Sequence, residues 1–206
     1  MTRLSVFWER QAARIADALD VKALPNVADA FDYDAELAAL TPVLRAVMQR
    51  LAEVGAWDVL DTWNPESDGW SPEMIEAYIA KAAETNANRW TKSVGERLSA
   101  LVADDPATAV ERLADFLSSN TLTVALAGAF ITEALSFGAH DAATKSGLRI
   151  KTWVVTSKNP RPSHAAQNGQ TVEIEDVFAN GLRWPGDHFG TPDDNAGCTC
   201  RLDYGR

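Results

Sequence analysis

The chain changes character in the stretch from Gly147 to Thr156, which reads GLRIKTWVVT. From Ile150 onward this stretch is rich in β-branched and aromatic residues, which favour a β-strand. Gly147 is well placed to end a preceding helix, because glycine adopts the left-handed conformation of a helix C-terminus without steric cost. The sequence therefore predicts two parts, a helical region over 1–146 and a small module over 147–206.

Two further strands are predicted in the module. Asn168-Gly169 is a tight-turn signal ahead of the short alternating run at 171–174. Residues 198–202 alternate again and are predicted to close the module as its last strand. The predicted fold class is α+β, with a mainly helical N-terminal region and a small, loop-heavy, β-rich C-terminal module. Such a module is too small for a large core, so its stability requires a cross-link, such as a bound metal, or a surface on which it packs.

The N-terminal region is predicted to be helical because its apolar residues recur every three or four positions. One such run extends from Leu4 to Leu19 and another from Leu37 to Val54, with a linker at 25–34 between them and a loop at 61–70 after them. Pro42 should either begin a new helix or kink the existing one. Further helix starts are predicted at Ser71-Pro72-Glu73, Asp105-Pro106 and Asn120-Thr121.

Charge and hydropathy restrict the class of protein. The 206 residues carry a formal net charge of −10, of which residues 1–146 hold 22 acidic and 12 basic side chains and residues 147–206 hold seven of each. An acidic chain argues against a simple duplex-DNA binder, whose phosphate contacts come from clustered Lys and Arg. No apolar run approaches the roughly 18–20 residues that a membrane span needs, and the first residues lack the apolar stretch of a secretory signal. We expect synthesis in the cytoplasm and no membrane partner.

The module contains four residues whose side chains bind metals well. They are His164, His188, Cys198 and Cys200, and structural zinc is commonly held by four such nitrogen and sulfur ligands. In an extended strand, residues two apart point to the same face, so both sulfurs of the Cys-x-Cys could reach one ion. These four residues are the predicted zinc ligands. The alternative is a pair of small, partly buried thiols in a reducing compartment, with both histidines in polar loops.

The same types of residue also suit other roles. A thiolate at Cys198 or Cys200 with His164 as its base would suit nucleophilic catalysis, but a small loop-rich module has little room for an orienting group and an oxyanion pocket. His140, near the end of the last long helix, is expected to interact favourably with the helix dipole. Trp8, Trp90 and Trp153 are predicted to be core residues, and Trp184 to serve either the core or a binding surface.

Several short motifs follow one another in the module. In order, they are Gly147-x-x-x-Lys151-x-Trp153, Asn159-Pro160-Arg161-Pro162-Ser163-His164, Asn168-Gly169, Trp184-Pro185-Gly186 and Cys198-Thr199-Cys200-Arg201-Leu202. This order resembles the C-terminal region of the phage head morphogenesis family, the Mu F-like minor head proteins. The similarity covers roughly residues 121–204. It includes Thr132-Glu133, which matches part of the family's arginine-threonine-glutamate signature, with Ile131 in the place of the arginine.

The resemblance implies a structural, non-enzymatic minor head (capsid) protein of a tailed bacteriophage. Such a protein is made in the host cytoplasm and resides in the virion, in the capsid interior or at the portal vertex. Its expected partners are the phage portal protein, the major capsid protein or both, with a role in head morphogenesis or DNA delivery. Some relatives carry a toxin or transferase domain after this region. None is expected here, because the sequence ends two residues after Tyr204.

A second hypothesis is a zinc-stapled module that binds nucleic acid and contacts packaged DNA. Its local basic face would come from the seven cationic residues of the module, namely Arg149, Lys151, Lys158, Arg161, Arg183, Arg201 and Arg206. A third hypothesis is a cysteine-dependent hydrolase. In the first two hypotheses the Cys-x-Cys holds a structural ion. In the third, one of its cysteines attacks a substrate.

Overall fold

The computed structural model describes residues 3–20, 31–64, 66, 69–105, 108–118 and 120–206. It confirms the α+β class: long helices precede a small antiparallel sheet. The helices are α1 (Arg3–Asp20), α2 (Tyr33–Trp63), α3 (Glu76–Asp104), α4 (Ala109–Ser118), α5 (Asn120–Lys145), α6 (Pro162–Ala165) and α7 (Pro192–Asn195). The strands are β1 (Ile150–Val154), β2 (Thr171–Glu173) and β3 (Arg201–Gly205). No described helix contains an apolar stretch long enough to cross a bilayer.

The helix predicted around Leu37–Val54 extends further in both directions. It begins at Tyr33, inside the predicted linker 25–34, of which residues 25–30 lie outside the described part of the chain. It also continues through Pro42 and ends only at Trp63, inside the predicted loop 61–70. The fully buried side chains of Leu40 and Leu44 flank the proline. Their burial stabilises a continuous helix despite the missing backbone donor.

The other helix starts are close to their predicted positions. Ser71-Pro72 does begin a helix, but the first turn is a 3-10 turn over Pro72–Ile75, and the Ser71 side chain makes no capping hydrogen bond. The fourth helix begins at Ala109, a few residues after the predicted Asp105-Pro106, and Pro106 is outside the described residues. The Thr108 hydroxyl bonds to the Asp105 carboxylate at 2.8 Å just before this helix.

The end of α5 was predicted correctly. Gly147 has a positive φ of 72°, and its N–H donates to the Thr144 carbonyl at 3.0 Å. The N–H of Leu148 donates to the Ala143 carbonyl at 3.1 Å. This pair of bonds is the Schellman arrangement, which satisfies the last carbonyls of a helix and turns the chain sharply. It directs residues 150–154 into the sheet.

The sheet has the strand order β2-β1-β3, with both pairs antiparallel. Lys151, Trp153 and Leu202 share the face that packs on the core, since Trp153 pairs with Leu202 across β1 and β3. The last strand begins at Arg201 rather than at Cys198, which corrects the predicted strand 198–202. The reason is local, because side-chain hydroxyls bond the preceding carbonyls: Thr132 donates to Cys198 and Thr156 to Thr199.

The chain forms two compact units, and their boundaries differ from the predicted division at residue 146. The first unit comprises residues up to 45 together with 83–124. In it α1 packs against α4, and Trp8 and Trp90 are buried with their ring centroids 4.7 Å apart. The buried Glu36 carboxylate accepts hydrogen bonds from Gln11 at 3.0 Å and from Arg14 at 2.6 and 2.8 Å.

The second unit comprises residues 46–82 and 125–206, so the sheet module shares a unit with parts of α2, α3 and α5. Within it α2 and α5 approach so closely that a Cβ at Gly138 would overlap the carbonyl oxygen of Ala52. A Cβ at Gly186 would lie 2.6 Å from the backbone nitrogen of Glu133. Helix and loop backbones therefore pack directly on α5, and this packing explains why the module is not a separate unit.

We predict that Gly138→Ala lowers the free energy of unfolding by about 2 kcal/mol or more, because the added methyl group meets backbone rather than a movable side chain. Urea denaturation measures this loss. Gly95→Ala is the matched control, since a Cβ there meets only ring atoms of Phe31 at 3.3 and 3.4 Å. It should change stability less. A Gly138→Ala protein as stable as the wild type would show that the two helices are not in close contact.

Candidate metal centre

The centre is built on the buried face of β1. Trp153 is fully buried in a core cluster with Phe178, Leu182 and the two cysteines. The short helix α6 follows β1, and its proline at the first position sets the backbone for a single turn. This turn carries His164 into the core, where the imidazole meets the Trp153 ring edge-on at 5.4 Å between centroids.

The two cysteines reach the same point from the segment before β3. Gly197, with a φ of +65°, turns the chain after α7, and the Cys198 N–H donates to the Asn195 carbonyl at 3.1 Å. The Thr156 hydroxyl donates to the Thr199 carbonyl, with 2.6 Å between the oxygens, and it lies 3.0 Å from the Thr199 hydroxyl. These contacts fix the backbone of Cys-Thr-Cys, so the direction of both thiols is set before any ligand binds.

The three side chains converge within bonding distance of one ion. The Nδ1 atom of His164 lies 3.5 Å from each sulfur, and the three ligand atoms all lie within 4.8 Å of one another. Tetrahedral coordination with bonds of about 2.3 Å to sulfur and about 2.0–2.1 Å to nitrogen separates those atoms by about 3.6 Å. The geometry therefore fits a metal ion, and the buried group of His164, Cys198 and Cys200 could hold one.

The protonation of the two thiols is unequal. A hydrogen bond from Cys198 lowers the pKa of Cys200, and His164 and Trp153 act in the same direction, while burial opposes them. The same hydrogen bond, together with burial, raises the pKa of Cys198. The Cys200 thiol is therefore the more acidic of the two. Because thiolates are the metal-binding form, Cys200 is the sulfur more readily available to an entering ion.

The fourth predicted ligand, His188, is not part of this group. Its Nδ1 atom lies 2.6 Å from a Glu133 carboxylate oxygen and 3.1 Å from the Tyr78 hydroxyl. A carboxylate only accepts hydrogen bonds, so we assign the hydrogen to Nδ1, which is then engaged. The structure thus brings three of the four predicted ligands together and places His188 in a second cluster with Glu133 and Tyr78.

The second cluster was missed from the sequence. Tyr78 stacks on Phe137 at 3.5 Å between centroids and contacts Trp184, which is buried. Burial, together with the Glu133 charge, raises the pKa of Tyr78, so its hydroxyl keeps its proton and donates to Glu133 at 3.3 Å. A usable signal existed: Glu133 is the one charged residue between Asn120 and His140 in an otherwise apolar or neutral helix.

An ion pair lies next to this cluster. Asp187 is buried, and Arg183 binds its carboxylate through two nitrogens at 2.8 and 2.9 Å. Burial alone would raise the pKa of Asp187, but the Arg183 hydrogen bonds and charge outweigh it and hold the pKa below its usual value. The bidentate pair closes the loop that carries His188, which gives the loop a fixed shape.

His140 packs beside Trp184 near the end of α5. Its ring lies 5.0 Å from the Trp184 ring, and burial together with the positive charges of Lys151 and Arg183 lowers its pKa to about 4. A neutral imidazole makes no charge interaction with the helix dipole, so the low pKa argues against the favourable interaction expected there. Trp8, Trp90 and Trp153 are core residues as predicted, and Trp184 joins them.

Comparisons with models of protein families, with curated proteins and with solved structures give no match.

We predict that the full chain, purified without chelator, holds about one metal ion and that a Cys198→Ser, Cys200→Ser double variant holds none. Loss of the ion should lower the melting temperature by about 5–10 °C, equivalent to about 2–3 kcal/mol for a chain of this size. Elemental analysis and calorimetry measure the two effects.

His188→Gln is the control for this variant, because it alters a buried histidine outside the three-residue group. Its metal content should equal that of the wild type even if its stability falls. Loss of the ion from His188→Gln would show that His188 is a ligand. An unchanged melting temperature in the double cysteine variant would show that no ion stabilises the fold.

We predict a stability difference that depends on pH at His140. The folded-state pKa of about 4 lies below the ordinary 6.5, so the unfolded chain binds more protons between these values. The unfolding free energy of the wild type relative to His140→Gln should therefore rise as the pH increases through this window and stay level above it. Urea denaturation at a series of pH values tests this. A difference that is constant or falls with pH would contradict it.

Proposed function

We propose that this chain is a non-enzymatic structural protein of a tailed-bacteriophage head, in which a metal-stapled C-terminal module docks on the portal or major capsid protein. The observation that carries the proposal is the buried, ligand-spaced group of His164, Cys198 and Cys200. The exposed fraction of these three residues is 2, 3 and 6%, and this deep burial supports a structural ion, whose coordination is completed by protein ligands rather than left open to a substrate.

The proposed ion is zinc. Two thiolates and one imidazole are a donor set that zinc commonly takes, and zinc needs no change of redox state in a structural role. When bound, zinc would cross-link α6 and the segment before β3. A fourth ligand would have to come from a group other than His164, Cys198 and Cys200. Elemental analysis should return zinc near one per chain; iron, copper or no metal would contradict this assignment.

The phage setting is supported by where the motif residues lie. Residues far apart in the pattern each have a structural task in the same unit: Gly147 ends α5, Trp153 and Trp184 are buried, and Gly186 packs on α5. Thr132-Glu133, the partial signature, donates to the Cys198 carbonyl through its threonine and binds His188 through its glutamate. The resemblance therefore rests on residues that pack together, as expected of a pattern maintained by one structural unit.

Several of the cationic residues that the nucleic-acid hypothesis needs are buried or paired with a carboxylate. Lys151 is buried, with its Nζ 5.6 Å from the Phe178 ring. Arg183 is bound to Asp187, and Arg201 lies 3.3 Å from Asp203. Buried or paired cations contribute little to phosphate binding. The geometry therefore favours a protein partner over packaged DNA.

The test of the phage role is particle composition. The genome that encodes the chain should carry portal and major capsid genes nearby. Heads assembled from these genes with the chain should contain it in a few copies, as measured by quantitative mass spectrometry of purified heads. Heads assembled with the double cysteine variant should contain less. Absence of the chain from heads, or the absence of head genes nearby, would refute the role.

A further inference from the structure

A groove of about 820 Å³ runs along the second unit beside the outer edge of β3. Its helical walls come from α2 and α5, and its third wall is the segment 198–204. Large apolar side chains stand exposed on the helical walls, with exposed fractions of 60% for Val54, 36% for Trp63 and 38% for Ile131. Exposed apolar side chains grouped around one concavity are typical of a binding surface rather than of ordinary protein exterior.

The edge of β3 that faces away from β1 has free hydrogen-bonding groups. The Trp153 N–H donates to the Gln170 carbonyl and the Trp153 carbonyl accepts from the Gly169 N–H, which shows that the odd-numbered residues of β1 face β2. Even-numbered residues therefore face β3 and pair with Arg201, Asp203 and Gly205. The backbone groups of Leu202 and Tyr204 then point away from the sheet. No described residue outside the sheet bonds to them.

A free strand edge specifies the conformation of what covers it. An extended segment added to the edge would satisfy the amides and carbonyls of Leu202 and Tyr204, and its alternate side chains would meet the helical walls. A helix has no free backbone donors or acceptors along its length to offer to this edge. The groove therefore fits a peptide in β-conformation.

Charge distinguishes the possible occupants. The charged residues that line the groove are Asp58, Arg201 and Asp203. Arg201 and Asp203 balance each other, while Asp58 has no ion-pair partner in the part of the chain that the structure describes. The whole chain carries a net charge of −10, which disfavours a second copy of itself as the occupant. A segment that bears Lys or Arg is complementary both to the Asp58 carboxylate and to the negative net charge of the chain.

We propose that this groove binds an extended, apolar segment of a partner protein that bears Lys or Arg and adds a strand to the free edge of β3. The inference rests on the proposed docking role and gives that role a specific surface and a specific partner chemistry. The partner contributes the fourth strand of the sheet in the order β2-β1-β3-partner.

The test uses the full chain and a panel of capped eight-residue peptides in which lysine alternates with valine, isoleucine, leucine or phenylalanine. Fluorescence anisotropy measures binding, and amide hydrogen exchange locates it. At least one peptide should bind, and the amides of Leu202 and Tyr204 should exchange more slowly in its presence. The same peptide N-methylated at alternate residues, on the amides that would face β3, should bind at least about tenfold more weakly, because it lacks the strand-pairing donors.

Two surface variants give a matched comparison. Val54→Lys places a positive charge on the groove wall and should weaken binding by at least about tenfold. Val177→Lys changes a valine of similar exposure, 53% against 60%, that does not line the groove, and it should bind as the wild type does. Neither change removes a buried side chain, so both proteins should fold.

Three results would overturn the proposal. The first is that no peptide of the panel binds at millimolar concentration. The second is binding that N-methylation and Val54→Lys leave unchanged. The third is a dimer in sedimentation experiments that protects the β3 amides without peptide, which would make a second copy the occupant. Head composition is measured separately, so a failure of the groove and a failure of the phage role are told apart.

Discussion

The C-terminal module depends on the convergence of one imidazole and two thiols inside a core that has few large apolar side chains. The core cluster there consists of Trp153, Phe178, Leu182 and the two cysteines, with Val155, Val172 and Leu202 packed against it. The buried Nε2 of His164 has no hydrogen-bond partner among the described residues, and burial of a polar atom without a partner costs free energy. A metal ion at the other nitrogen would offset this cost by joining α6 to the segment before β3 through strong bonds.

The helices and the module are interdependent within the second unit. Contacts between backbones at Gly186 and Glu133, and the hydrogen bond from Thr132 to Cys198, bring α5 to the segment that carries the metal ligands. The cluster of Glu133, His188 and Tyr78 likewise holds the loop after β2 against α5. A helix that carries a buried acid and a hydroxyl at adjacent positions thus organises two polar centres. This explains why residues 147–206 share one compact unit with parts of the helices.

Local rules predicted much of this fold and the centre of the site. Periodicity identified the long helices, Gly147 marked the end of α5, and donor chemistry selected His164, Cys198 and Cys200. The prediction was wrong where tertiary contacts outweigh local preference: α2 continues to Trp63, inside the predicted loop 61–70, and β3 begins at Arg201 because side-chain hydroxyls bond the carbonyls of the Cys-x-Cys segment. His188 was chosen on chemistry alone, and nothing local indicated that Glu133, 55 positions away, binds it.

The division into two units could not be read from the sequence either. Composition changes at residue 147, but contacts divide the chain inside α2, α3 and α5. The small residues that permit close packing, such as Gly138 and Ala52, resemble ordinary helix residues until their partners are known. The groove beside β3 is a consequence of that packing, since its walls come from three segments that are each at least 59 residues apart in the chain.

X-ray absorption at the metal edge of the purified full chain is the decisive measurement, because it reports the identity and the distance of the metal ligands without a crystal. We expect two sulfur ligands at about 2.3 Å and at least one imidazole nitrogen at about 2.0–2.1 Å around a single ion. A spectrum with only nitrogen and oxygen ligands, or a chain that retains no ion, would contradict this expectation.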